Sequence, residues 1–212
     1  MKATMDSIIR LLFVVLIFAL VPACGGGGGD GGAPSPVVVL SDDFADLSNW
    51  TYGGSTQISS GGGNPPPSMF VNNPTMGGWS VTSDTYDFTS GITVSWHQYI
   101  VDGGSSTHNA YAGINSADSP LMTMGAGIQR YGDQAFRCYL NGVILYSVFS
   151  TVSPYSWAIY KVSIFADGTV AYYVNDVLVY HSTMTVSFTS PKNLFFTSST
   201  YAYFDNVVVT IP

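Results

Sequence analysis

Beyond residue 36 the chain nowhere sustains the period of an amphipathic helix. Short runs rich in Val, Tyr, Thr, Phe and Ser recur instead, each bounded by Gly, Pro, Asn or Asp. Branched and aromatic side chains suit a pleated, half-buried surface, and thirteen such runs follow one another from Val37–Phe44 to Ala202–Ile211. The spacing predicts an all-β fold, two antiparallel sheets packed as a sandwich. Turn chemistry agrees: Asn141-Gly142, Asp167-Gly168 and Asn175-Asp176 each sit where a hairpin tip is expected. An outer-membrane barrel shares the alternation and the low charge. Against it, the chain ends in VVVTIP without a terminal aromatic, and several runs are short for a bilayer.

The first 36 residues follow different rules. Lys2 and Arg10 flank the start, and Leu11 to Leu20 is an unbroken apolar stretch, half the roughly 20 residues that a spanning helix needs. A charged start, a short apolar core and small residues after it make a secretory signal. Val21-Pro22-Ala23-Cys24 resembles the bacterial lipobox, which implies cleavage after Ala23 and a lipid on Cys24 that attaches the chain to a membrane. Gly25 to Gly32, broken only by Asp30, has no side chains to bury and reads as a flexible tether, stiffened at Pro34-Ser35-Pro36. The expected organisation is a signal peptide at 1–23, a lipidated cysteine and tether at 24–36, and one β-sandwich at 37–212. No acidic residue directly follows Cys24. With the lipobox resemblance, that implies an outer-membrane lipoprotein of the bacterial cell envelope, its domain periplasmic or surface-exposed.

Charge narrows the partners. Six basic residues face thirteen acidic ones, all aspartate, for a net charge of −7, which disfavours nucleic acid and other anionic polymers. With Cys24 lipidated, Cys138 has no disulfide partner, and its place in the alternation of FRCYL predicts a small buried hydrophobe. His97, His108 and His181 are scattered, without zinc-ligand spacing.

Four segments, DDFADLSNW, GGGNPPPSMFV, WAIYKVSIFADGTVAYYVNDVLVY and YFDNVVV, together resemble the concanavalin A-like, laminin-G-like jelly rolls of bacterial surface proteins, over about residues 38–211. That resemblance implies two antiparallel sheets, one curved into a concave face, with the first and last strands side by side. It also implies a structural calcium between the chain ends. Asp42, Asp43 and Asp205 are the candidate ligands, since calcium takes roughly six to eight oxygens, carboxylates and carbonyls among them.

Alternation sorts the remaining chemistry onto faces. In ITVSWHQYIV, Val94, Trp96 and Ile100 share one side, His97 and Tyr99 the other. The next runs set Ala110, Ala112 and Ile114 against Tyr111 and Asn115, Ala126 and Ile128 against Gln129 and Tyr131, and Phe136, Cys138 and Leu140 against Arg137 and Tyr139. If the four runs are neighbours, His97, Tyr99, Tyr111, Asn115, Gln129, Tyr131, Arg137 and Tyr139 form one surface. Aromatic rings stack on the C–H faces of sugars, and amide or guanidinium groups bind paired hydroxyls. The expected function is therefore a non-catalytic, lectin-like surface for a glycan or polysaccharide. Two alternatives stay open: a structural or adhesive surface protein that binds another protein, and a polysaccharide-degrading enzyme. The enzyme has less behind it. No glutamate is present, the aspartates fall at turns, and no G-x-S-x-G elbow occurs. Only proton abstraction by His97, with Tyr99 or Tyr131 as acid, offers a route.

Overall fold

Alternation becomes strand almost everywhere it was expected. The computed structural model describes residues 35–72, 78–87, 89–100, 109–115, 125–131, 135–149, 152–153, 155–186, 193–198 and 201–212; the expected signal peptide, Cys24 and the expected tether lie outside them. In chain order the strands are β1 (Val37–Asp42), β2 (Trp50–Gly53), β3 (Ser55–Ser59), β4 (Ser68–Asn72) and β5 (Gly78–Thr82). Then come β6 (Ile92–Ile100), β7 (Asn109–Asn115), β8 (Gly125–Tyr131), β9 (Ala135–Leu140) and β10 (Val143–Phe149). The last are β11 (Ala158–Ile164), β12 (Val170–Val174), β13 (Val177–Ser182), β14 (Asn193–Ser198) and β15 (Ala202–Ile211).

They form two antiparallel sheets. Sheet A runs β13-β12-β11-β6-β15-β4-β3, with β1 also on β15; sheet B runs β10-β9-β8-β7-β14-β5-β2. One side of β15 pairs with β6, while the other is shared between β4 at Ala202–Phe204 and β1 at Val207–Ile211. First and last strands are therefore neighbours. Asn141 and Gly142 close the β9–β10 hairpin with positive φ at both positions, as do Asn175 and Asp176 between β12 and β13, the combination that matches the twist of paired strands.

Two strands had no counterpart in the sequence reading. β2 pairs with β5 in sheet B and β3 pairs with β4 in sheet A, so the chain changes sheets at Gly54, whose φ is 67°. Two strands of four and five residues around a glycine corner carry too little alternation to register.

The inward side chains meet as an aromatic stack between the sheets. The Trp96 ring lies 5.8 Å from Tyr160, nearly parallel, and 5.9 Å edge-on from Phe196. Phe196 in turn meets Trp50 and Phe204 edge-on at 5.2 and 4.9 Å. Around it pack Val94, Ala112, Ile114, Phe136, Cys138 and Leu140, all fully buried or nearly so. Each large ring taken from water contributes about 1.5–3 kcal/mol. Burial pushes the Cys138 thiol up to about 12, as expected for a core hydrophobe.

Candidate functional site

The fold divides the eight residues expected on one surface. β6, with His97 and Tyr99, lies in sheet A between β11 and β15. β7, β8 and β9 are consecutive in sheet B, and carry Tyr111, Asn115, Gln129, Tyr131, Arg137 and Tyr139. The single surface is therefore two, because the chain crosses between sheets after β6. Sequence neighbours stop being sheet neighbours there.

On sheet B the register sets Tyr111 opposite Gln129, and Gln129 opposite Arg137. Asn115 and Tyr131 lie at the ends of their strands, and for them and Gln129 only the backbone is described. Tyr111 is 1% exposed, edge-on to Tyr139 at 5.8 Å and packed on Phe195. Its ring is already covered, and burial pushes its phenol far up. Arg137 and Tyr139 are half-buried, and Trp79 lies across Gly53, where a Cβ would meet its ring at 2.8 Å.

Sheet A offers more open rings. Tyr99 stands directly opposite Tyr203, Tyr203 opposite Phe70, and Phe70 opposite Gln57. Trp157, one residue before β11, packs on Tyr99 at 5.5 Å; Tyr99 meets Tyr203 at 5.9 Å, and Tyr203 meets Phe70 at 4.7 Å. Tyr201, two residues before Tyr203, lies beside the series, parallel to Phe70 at 6.0 Å and 45% exposed. Tyr203, Phe70 and Tyr201 were missed because their face depends on register with strands distant in sequence.

A polar flank runs beside the rings. His97 lies directly opposite Asp205, two residues along β6 from Tyr99. Past Asp205 the register shifts, so that Asn206 and Val207 together oppose Trp96. Such a bulge re-aims a side chain. Asn206, at φ 47°, places its amide nitrogen 3.3 Å from His97 Nδ1 and donates to the Asn64 carbonyl oxygen at 2.9 Å. The Asn64 N–H donates to Asp205 Oδ2 at 2.6 Å, and the Asn206 N–H to Oδ1 at 2.7 Å. The 60–67 loop is thus laid across β15, and a Cβ on Gly62 would meet the Tyr203 ring at 2.6 Å.

The three aspartates expected around calcium do not act alike. Asp42 is the most engaged: Oδ1 accepts the Phe44 N–H, and Oδ2 accepts both the Asn49 amide and the Trp50 indole N–H, the last at 2.8 Å. Asp43 and Asp205 fit a cation better. Asp205 is fully buried, and desolvation pushes its carboxyl up, with the Asp43 charge adding to the push against the two N–H donors and His97. Each Asp205 oxygen keeps a lone pair beyond its N–H bond. Among the described residues no three or more His, Cys or Asp side chains converge, so backbone carbonyls would complete any shell. A groove of about 410 Å³ at the far end of sheet A, lined by Ile92, Ile164, Phe165 and Ile211 among others, contains none of the expected site residues.

No family model and no curated protein matches the chain. Solved structures do. The metal-free form of the Emp46p carbohydrate recognition domain superposes with a TM-score of 0.59 at 14% identity, over 82% of this chain and 92% of that one. A potassium-bound form of that domain is also similar, with a TM-score of 0.57 at 16% identity, over 82% and 90%. The carbohydrate binding module CBM66 from Bacillus subtilis gives 0.55 at 15%, over 76% and 95%, and the Bacillus licheniformis β-glucanase 0.59 at 12%, over 82% and 97%. Likeness at this identity speaks to architecture: the chain folds as an antiparallel, concanavalin A-like jelly roll.

Proposed function

We propose that the protein is a lipoprotein of the bacterial cell envelope, held on the outer membrane through Cys24, whose β-sandwich binds carbohydrate without cleaving it. One observation carries the binding: rings of Trp157, Tyr99, Tyr203, Phe70 and Tyr201 stand beside His97 and Asn206 on one sheet face. Rings for sugar C–H faces next to amide and imidazole groups for hydroxyls are what a glycan surface requires. The named functions of the Emp46p domain and CBM66, on the same fold, support it. The test is retention of the mature chain on a panel of immobilised polysaccharides. Retention on one class that is lost in Tyr203→Ala supports the reading; no retention by folded protein overturns it.

Calcium belongs to this reading as a tie within the domain, held by Asp43 and Asp205 with backbone oxygens. A cation there would offset two nearby carboxylate charges, and would stabilise the native state by about 2.7 kcal/mol at a hundredfold excess over its Kd. We expect chelator to lower the melting midpoint of the wild type and to leave that of Asp205→Asn unchanged. Equal wild-type midpoints with calcium and with chelator would remove calcium from the reading.

A further inference from the structure

We infer that the outer face of sheet A binds an internal stretch of an extended, neutral, soluble polysaccharide, laid across the strands from Trp157 to Phe70, with Tyr201 beside that last ring. This rests on the glycan-binding reading and specifies its ligand. Three observations lead to it.

The first is direction. Tyr99, Tyr203 and Phe70 are direct cross-strand partners, and Gln57 follows in the same register. The series therefore crosses β11, β6, β15 and β4 at right angles, roughly 14 Å at about 4.8 Å per strand. A row this long, with Tyr201 45% exposed beside its last ring, matches several consecutive sugar rings rather than one terminal unit.

The second is relief. Neighbouring rings are tilted by 44°, 73° and 37° along the row, with a parallel pair, Phe70 and Tyr201, at its end. Crystalline polysaccharide offers a flat deck, which needs coplanar rings. A single chain whose sugars turn from one to the next can meet tilted rings in succession.

The third is charge. The flank presents the Asn206 amide and the His97 imidazole, while the Asp205 carboxylate is fully buried and bonded to two N–H groups. With a net charge of −7 on the whole chain, an anionic glycan would be repelled and an uncharged one accepted.

The experiment is calorimetric titration of the mature protein with linear gluco-, xylo- and manno-oligosaccharides of one to six units. For at least one series, affinity should rise at least tenfold from one to four units and then level off. Trp157→Ala, at one end, and Tyr201→Ser, which removes the ring stacked on Phe70 at the other, should each weaken the hexamer several-fold more than the disaccharide. Tyr203→Ala, at the centre, should weaken every length. Melting midpoints establish that each variant is folded; should Tyr203→Ala fail to fold, Tyr201→Ser, at an exposed position, decides the matter. Affinity independent of length overturns the inference and leaves the glycan-binding reading standing. So does hexamer binding that survives the sheet A variants and is lost in Tyr139→Ala. No binding of any series, together with no retention on the polysaccharide panel, overturns both.

Discussion

Asp42 shows how much of this domain hangs on single polar atoms. Its carboxylate caps the turn after β1 at the Phe44 N–H and holds the Trp50 indole and the Asn49 amide. Asp42→Ala leaves a buried indole donor without a partner, and should cost about 2–3 kcal/mol in urea denaturation while the response to calcium persists. Gly62 acts by having no side chain. Gly62→Ala would drive a methyl into the Tyr203 ring and turn that ring out of the row; oligosaccharide affinity should fall several-fold while the melting midpoint moves little. At this scale the sequence was partly legible. His97 and Tyr99 declared their outward face by alternating with Val94 and Trp96, because a strand's period is fixed by its backbone. Asn206 could not be read that way, since the bulge that aims it breaks the period, and its partner Asn64 lies 142 positions away.

Elements were easier to foresee than their partners. Hairpin tips at Asn141-Gly142 and Asn175-Asp176 follow from residues that tolerate positive φ. Gly168 belongs with them: its φ is 82°, and a Cβ would come within 2.6 Å of the Val186 oxygen. Gly168→Ala should therefore cost about 1–3 kcal/mol, read as a lower denaturation midpoint with the fold retained. What alternation cannot convey is which sheet a strand joins. β6 and β7 follow each other in sequence and carry similar patterns, yet they lie in different sheets. The expected single surface divided on that point, and the burial of Tyr111 removed one more of its members. β2 and β3 were lost for the related reason that Gly54 turns the chain from one sheet into the other.

For the molecule as a whole, the aromatic interior predicts its behaviour in alkali. Burial pushes the phenol of Tyr86 up to about 12, helped by Asp84 and Asp42, and pushes those of Tyr111 and Tyr172 further. An acid that ionises later in the folded chain than in the unfolded one favours folding below its ordinary value, near 10, and that contribution is lost as pH rises through the folded value. Near-ultraviolet absorbance should show these phenols lagging behind the exposed tyrosines above pH 10 and ionising together as the chain unfolds. Stability should decline over the same range. Simple early titration of every tyrosine would contradict the packing described.

β15 carries the aromatic row near its start, at Tyr203, and β1 against its end, from Val207 to Ile211. β1 is also the first strand after the glycine-rich stretch 25–32, entering at Val37 opposite Ile211. If flow or a moving surface drags on a bound polymer while the anchor holds, the pull is therefore directed along the axis of these two strands. It tries to slide β1 past β15, which strains all their hydrogen bonds together. It does not peel them open one after another. On the proposed anchoring, the domain is strung like a lap joint between membrane and polymer, in the orientation that best resists being torn apart.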